Sequence, residues 1–161
     1  MAVDQFLKLG ALKGESKDQK KKGEIDVLAW SWGMSQTGSW HTGGGGGAGK
    51  ANFQDLSVTC YIENGTAGIM QKCGNGDHFA DATLTVRKAG KKPLEYLIIK
   101  MKKVMVTSVS LGGSGGEERL TQNMTLNFAE VEVLYKEQMD DGSGGADKKF
   151  AYNIETNEDK S

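Results

Sequence analysis

A chain of 161 residues, 37% hydrophobic and 25% charged, is long enough to bury a core without disulfides or metal and too apolar for a disordered tail. Its 20 basic and 21 acidic residues leave a formal charge of -1, which argues against a nucleic-acid or anionic-membrane binder and leaves little repulsion between copies. No apolar run approaches the ~20 residues of a membrane span, and residues 1–8 lack the apolar stretch of a cleavable signal.

Alternation of period two, punctuated by glycine, runs along most of the chain. Val3, Gln5, Leu7 and Leu9 open a strand. Residues 13–24, with the charge run 17–22, then read as a solvated loop. Residues 25–34 and 56–62 read as strands, the second with Leu56, Val58, Cys60 and Ile62 on one face. One helix begins at Ala67, capped by Thr66 and ended by Gly74, with Ile69, Met70 and Cys73 toward the core. Ala82, Leu84 and Val86 alternate with Thr83, Thr85 and Arg87, and 88–93 is a hairpin loop into a strand over 94–101. Residues 104–111 and 121–135 form a further pair around a glycine-rich loop. A last strand, 150–154, follows a Gly/Asp-rich loop at 140–147. The length fits one domain over 1–161, and many strands with one short helix imply a barrel or sandwich.

Two strands carry more than this. In 25–34, Leu28, Trp30, Trp32 and Met34 form a large even face, which places the tryptophans in the core, while Ala29, Ser31 and Gly33 form a small outer face. In 121–135 the apolar side changes from Met124, Leu126 and Phe128 to Val131, Val133 and Tyr135. Either a bulge sits near Ala129 or both sides are covered, one partly by another subunit. Residues 94–101 are likewise apolar on both sides, which suggests burial between copies.

The residues offer no catalytic, cofactor or metal site. Gly44, Gly49 and Lys50 match the spacing of a phosphate-binding loop, but Ala51 stands where a hydroxyl is required and a strand, not a helix, follows. His78 lies near Cys73 and Asp77 without ligand spacing or an orienting third group. Glu117 and Glu118 sit in a polar glycine-rich turn, and Cys60 and Cys73 read as buried thiols.

Residues 13–16, the tryptophan strand 25–34, the glycine loop to Lys50, and the motifs at 112–121 and 124–129 together resemble the haemolysin-coregulated protein (Hcp) family, the tube-forming component of the type VI secretion system. The resemblance covers the chain to about Tyr135; the tail 140–161 is less typical. It implies a mainly β, two-sheet β-barrel with one helix, assembled as a homohexameric ring. It further implies rings stacked into a hollow tube, with a spike protein, a contractile sheath and secreted effector proteins as partners. The family is not catalytic, and this chain leaves no room after the barrel for a fused toxin domain. Export would follow a route independent of a signal peptide.

Within that frame, the loop 36–50 is too glycine-rich for a strand and too long for a tight turn, and is the candidate for ring stacking: Trp40, His41, Gly43, Gly44, Gly45, Gly46, Gly47 and Lys50. Trp40 is its anchor, or else packs on its own barrel. Ser31 is the candidate lumen residue, with Trp30 and Trp32 as core anchors. Two other readings stand beside this one: a bacteriophage tail-tube subunit, and a monomeric barrel binding carbohydrate or a small ligand on Trp30, Trp32 and Trp40.

Overall fold

A computed structural model describes residues 3–41 and 49–161. Along the chain these form β1 (Val3–Leu9), β2 (Ile25–Ser31), β3 (Met34–Gln36), β4 (Ala51–Phe53), β5 (Leu56–Tyr61), α1 (Thr66–Asn75), β6 (His78–Lys88), β7 (Leu94–Gly112), β8 (Thr121–Gln138), β9 (Gly144–Asn153) and β10 (Glu158–Asp159). The main sheet runs β10-β9-β8-β5-β2-β1-β6-β7, and an additional pairing of β7 with β8 closes six of its strands into an antiparallel barrel. β9 and β10 extend beyond that closure, and β3 with β4 makes a separate two-stranded ribbon. The mainly β barrel with one short helix is thus the fold that forms. The alternation read in the sequence fills its interior: Leu7, Leu9, Leu56, Val58, Cys60, Leu84, Met124 and Leu126 are buried there.

Several elements depart from expectation. The register of β2 against β5 slips between Val27 and Ala29, and this bulge changes which side chains face inward. Ile25 and Val27 are buried, Leu28 and Met34 are exposed, and Trp30 and Trp32 pack at the margin of the core. The even-face core assignment is corrected accordingly, and β2 ends at Ser31. The helix begins one residue earlier, with Gly65 as N-cap and left-handed Gly76 (φ 71°) as C-cap. Thr66 Oγ1 does not cap it; it accepts the N–H of Glu63 at 2.9 Å. Ile69 is buried, but Met70 is 47% exposed. Residues 51–53, unassigned in the sequence, pair with 34–36.

β7 is one strand of 19 residues, not two. Lys103 takes a left-handed φ of 54° in its middle, and its buried side changes from Ile99 and Met101 to Val104 and Val106. β8 changes sides at the same level, between Phe128 and Val131, with the register unshifted from Val104↔Phe128 to Lys102↔Glu130 across the unpaired Lys103 and Ala129. The Ala129 carbonyl accepts the N–H of Ile154 at 2.8 Å, where β9 turns away. The change of face in β8 is therefore a bend of the wall at Lys103 and Ala129.

A second two-sided surface is covered by the chain itself. Thr85 and Arg87 lie on the opposite side of β6 from Leu84 and Val86, yet both are buried, as is Phe6, which pairs with Thr85. The strap from Leu12 to Glu24 closes over this side. It is folded on itself by Gly14 N–H to Gly23 O (2.7 Å), Gly23 N–H to Ser16 O (2.9 Å) and Ser16 N–H to Glu24 O (2.9 Å). Gly14 is required there, since a Cβ would lie 2.5 Å from the Glu24 carbonyl oxygen.

Candidate assembly surfaces

The outward side of β2, β5, β8 and β7 is hydroxylic. Registers align Ser31, Ser57, Thr125 and Ser108 in one row and Ala29, Thr59, Asn123 and Ser110 in the next. Their inward neighbours Val58, Met124 and Leu126 are fully buried, so alternation turns these polar side chains away from the core. Many of them are hydrogen-bonded to one another. Thr125 Oγ1 lies 2.6 Å from the hydroxyls of both Thr107 and Ser108. Thr107 donates to Asp55 at 2.7 Å, Asn127 donates to the same carboxylate at 2.9 Å, and Thr59 donates to Asn123. Sequence reasoning singled out Ser31 alone. The other members come from three strands whose registers a single sequence does not reveal.

At the end of this wall stands the β3–β4 ribbon, with Thr37 and Lys50 at its open end. Thr37 closes its neck, accepting the Lys50 N–H at 3.0 Å and donating to the Lys50 carbonyl at 3.3 Å. Gly49 allows this approach, because a Cβ there would clash with Thr37 and Gly38. Trp40 is 85% exposed and does not pack on its own barrel. His41 and Lys50 are exposed as well, while Gly43–Gly47 lie outside the described residues. Trp30 and Trp32 belong to the base. Trp30 Nε1 donates to Gln5 Oε1 at 2.8 Å, and Trp32 Nε1 donates to the Gln54 carbonyl at 2.9 Å. The Trp32 ring lies 6.1 Å from both Phe53 and Phe128, so it braces the ribbon against the barrel. These bonds leave Trp40 as the bare tryptophan, which weakens a three-tryptophan ligand platform.

The strap is held by charge. Arg87, 5% exposed, donates to Asp18 at 2.6 and 3.1 Å and to Asp4 at 3.1 Å, with its guanidinium 4.9 Å from the Phe6 ring centroid. The hydrogen bond from Arg87 holds the Asp18 carboxyl down at about 2. Lys21 pairs with Glu95 at 3.1 Å. Glu15 N–H donates to Glu63, and Asn64 N–H donates back to Glu15 at 2.7 Å. Burial pushes the Glu63 carboxyl above its ordinary range.

A closed antiparallel barrel with an exposed tryptophan beyond a braced ribbon, beside a hydroxylic wall, is the architecture of a structural β-barrel protein. The comparisons make this specific. The profile of the family described as "Type VI secretion system effector, Hcp" matches residues 6–135. "Protein hcp1" of Pseudomonas aeruginosa is 59% identical over 159 residues, covering 98% of each chain. The chain belongs to the Hcp family, and its function is that of a type VI secretion tube protein. Among solved structures, "Structure of a type six secretion system protein" is similar with a TM-score of 0.93 at 27% identity, covering 99% of this chain and 100% of that one. Hcp1 from Salmonella typhimurium follows at 0.83 and 34%, covering 99% of both. The bacteriophage tail-tube alternative gives way to this assignment.

Proposed function

We propose that six copies of this chain close into a ring, that rings stack through the loop 37–50, and that the hydroxylic wall around Ser31 faces the lumen and contacts secreted effector proteins. The spike protein and contractile sheath complete the partner set, and secretion proceeds without an N-terminal signal. No catalysis, nucleic acid or membrane insertion enters this reading. The supporting observation is Trp40: an indole 85% exposed on a braced ribbon is a costly surface for an isolated molecule and a ready anchor for a pocket in a neighbour. Further large apolar side chains stand outside the core, among them Leu28, Leu111, Leu120 and Tyr135. They agree with burial between copies.

Negative-stain imaging of wild-type protein and of Trp40→Ala tests this. Wild-type protein is expected to give six-fold rings and columns, and the variant rings without columns. Deleting Gly43–Gly47 is expected to do the same. Columns that persist in both variants would remove the stacking role from the loop. A wild-type protein that light scattering finds monomeric at tens of micromolar would remove the ring itself.

A further inference from the structure

The charge run at 17–22 plays no part in ring closure, stacking or cargo contact as proposed above. Its placement is nevertheless unusual for a surface loop. The strap is bolted to the barrel by the buried Arg87 through Asp18, by Lys21 to Glu95, and by the reciprocal Glu15–Asn64 and Glu63–Glu15 hydrogen bonds. Within it, Asp18 Oδ1 accepts the N–H groups of Lys20 and Lys21 at 3.0 and 3.2 Å, which sets the turn carrying the lysines. Asp18 and Lys21, turned inward, are thereby paired. The lysines turned outward are not: Lys13, Lys17, Lys20 and Lys22 are exposed against one exposed carboxylate of the strap, Glu15, and among the described residues none of these lysines makes an ion pair within 4 Å. In a chain of net charge -1, that is a local concentration of unmatched positive charge on a rigid support.

We infer that the strap 13–24 is a docking surface for an acidic face of another protein, its lysines held in register by the Arg87–Asp18 pair. Carboxylates fit it better than nucleic acid does. The outward cations are all ammonium groups, which are point charges without the bidentate fork that reads phosphate. The strap also holds no aromatic residue on which a base could stack. Matching charge across such a surface acts mainly on encounter rate and orientation, and it weakens with salt. This goes beyond the proposed ring and tube and does not depend on them.

The test uses the full-length protein, with a poly-glutamate peptide and a single-stranded DNA of equal charge as probes, read by fluorescence anisotropy. The peptide is expected to bind, to bind better than the DNA, and to lose about tenfold in affinity between roughly 50 and 200 mM salt. The triple variant Lys17→Gln, Lys20→Gln, Lys22→Gln alters exposed side chains only and is expected to abolish most of that salt-dependent binding. Asp18→Asn separates geometry from charge. It adds one unit of positive charge, so charge alone gives equal or tighter binding, whereas a surface that needs its bolt gives several-fold weaker binding. Unchanged binding by the triple variant, or equal or tighter binding by Asp18→Asn, would overturn the inference. DNA bound more tightly than the peptide would assign the strap to nucleic acid instead.

Discussion

Arg87 is a buried arginine next to the end of β6, and its surroundings explain its retention. Two carboxylates and the Phe6 ring surround the guanidinium, and the pair with Asp18 ties a loop to the barrel. Arg87→Gln removes three charge-assisted hydrogen bonds and leaves the partly exposed Asp18 and Asp4 carboxylates to water, so it is expected to lower unfolding stability by about 2 kcal/mol in urea titrations at pH 7. The pH dependence follows from Asp18, whose carboxyl is held at about 2 by the Arg87 hydrogen bond. A depressed carboxylate stabilises the fold above its unfolded value near ~3.9 and loses that contribution as pH falls toward about 2. The gap between wild type and Asp18→Asn should therefore be widest near neutral pH and narrow progressively below ~4, with hydrogen exchange in 13–24 rising in wild type over that window. Glu63, raised by burial, works in the opposite sense and is relieved by mild acid. Cysteine reactivity is a further check at this scale. Cys60 is fully buried, accepts Gln122 Nε2 at 3.1 Å, and has its thiol pushed up by burial. Iodoacetamide at pH 8 should modify the half-buried Cys73 first and reach Cys60 only on unfolding.

Among the elements, β7 carries the clearest conflict between local preference and fold. A lysine at φ 54° sits where left-handed backbone costs a Cβ-bearing residue roughly 1–2 kcal/mol, and the turn after β9 secures it through Lys103 Nζ to Glu155 at 3.1 Å. Lys103→Gly is expected to hold or raise the melting temperature, and Lys103→Ile to lower it by several degrees. This bend also shows what was legible beforehand. Leu56–Tyr61 was readable because it alternates cleanly with one buried side, and Val3–Leu9 because Leu7 and Leu9 mark the core side, although the strap also buries Phe6 on the other. The two-sidedness of 121–135 was visible, but its cause was not, because the irregular residue lies on the partner strand and a register is a property of two strands. The bulge at Leu28 hid in the same way. It turned Leu28 outward and buried Ile25 and Val27, while Trp30 and Trp32 still pack against the core, although the strand itself was located correctly. The ribbon 34–36 with 51–53 escaped detection because three-residue strands carry too little periodicity to read. For the candidate surfaces, Ser31 and Trp40 stood out by composition, whereas the Asp55–Thr107–Asn127 network and the Arg87 bolt exist only once distant segments meet.

At the scale of the whole molecule, six strands leave no open flank around the barrel, and the main sheet ends instead at β9, guarded by β10 only at Tyr152 and Asn153. The rest of that border, from Gly144 to about Phe150, has no strand beside it among the described residues, and it carries Asp147, Lys148 and Lys149 in succession. Charged side chains packed along an open border oppose zippering onto another sheet. Replacing Lys148 and Lys149 with valine and threonine should accordingly promote thioflavin-positive aggregates on long incubation, where wild-type protein stays clear. The charged border of β9 thus acts as a guard for a chain of nearly zero net charge, keeping crowded molecules from merging sheet to sheet into fibrils.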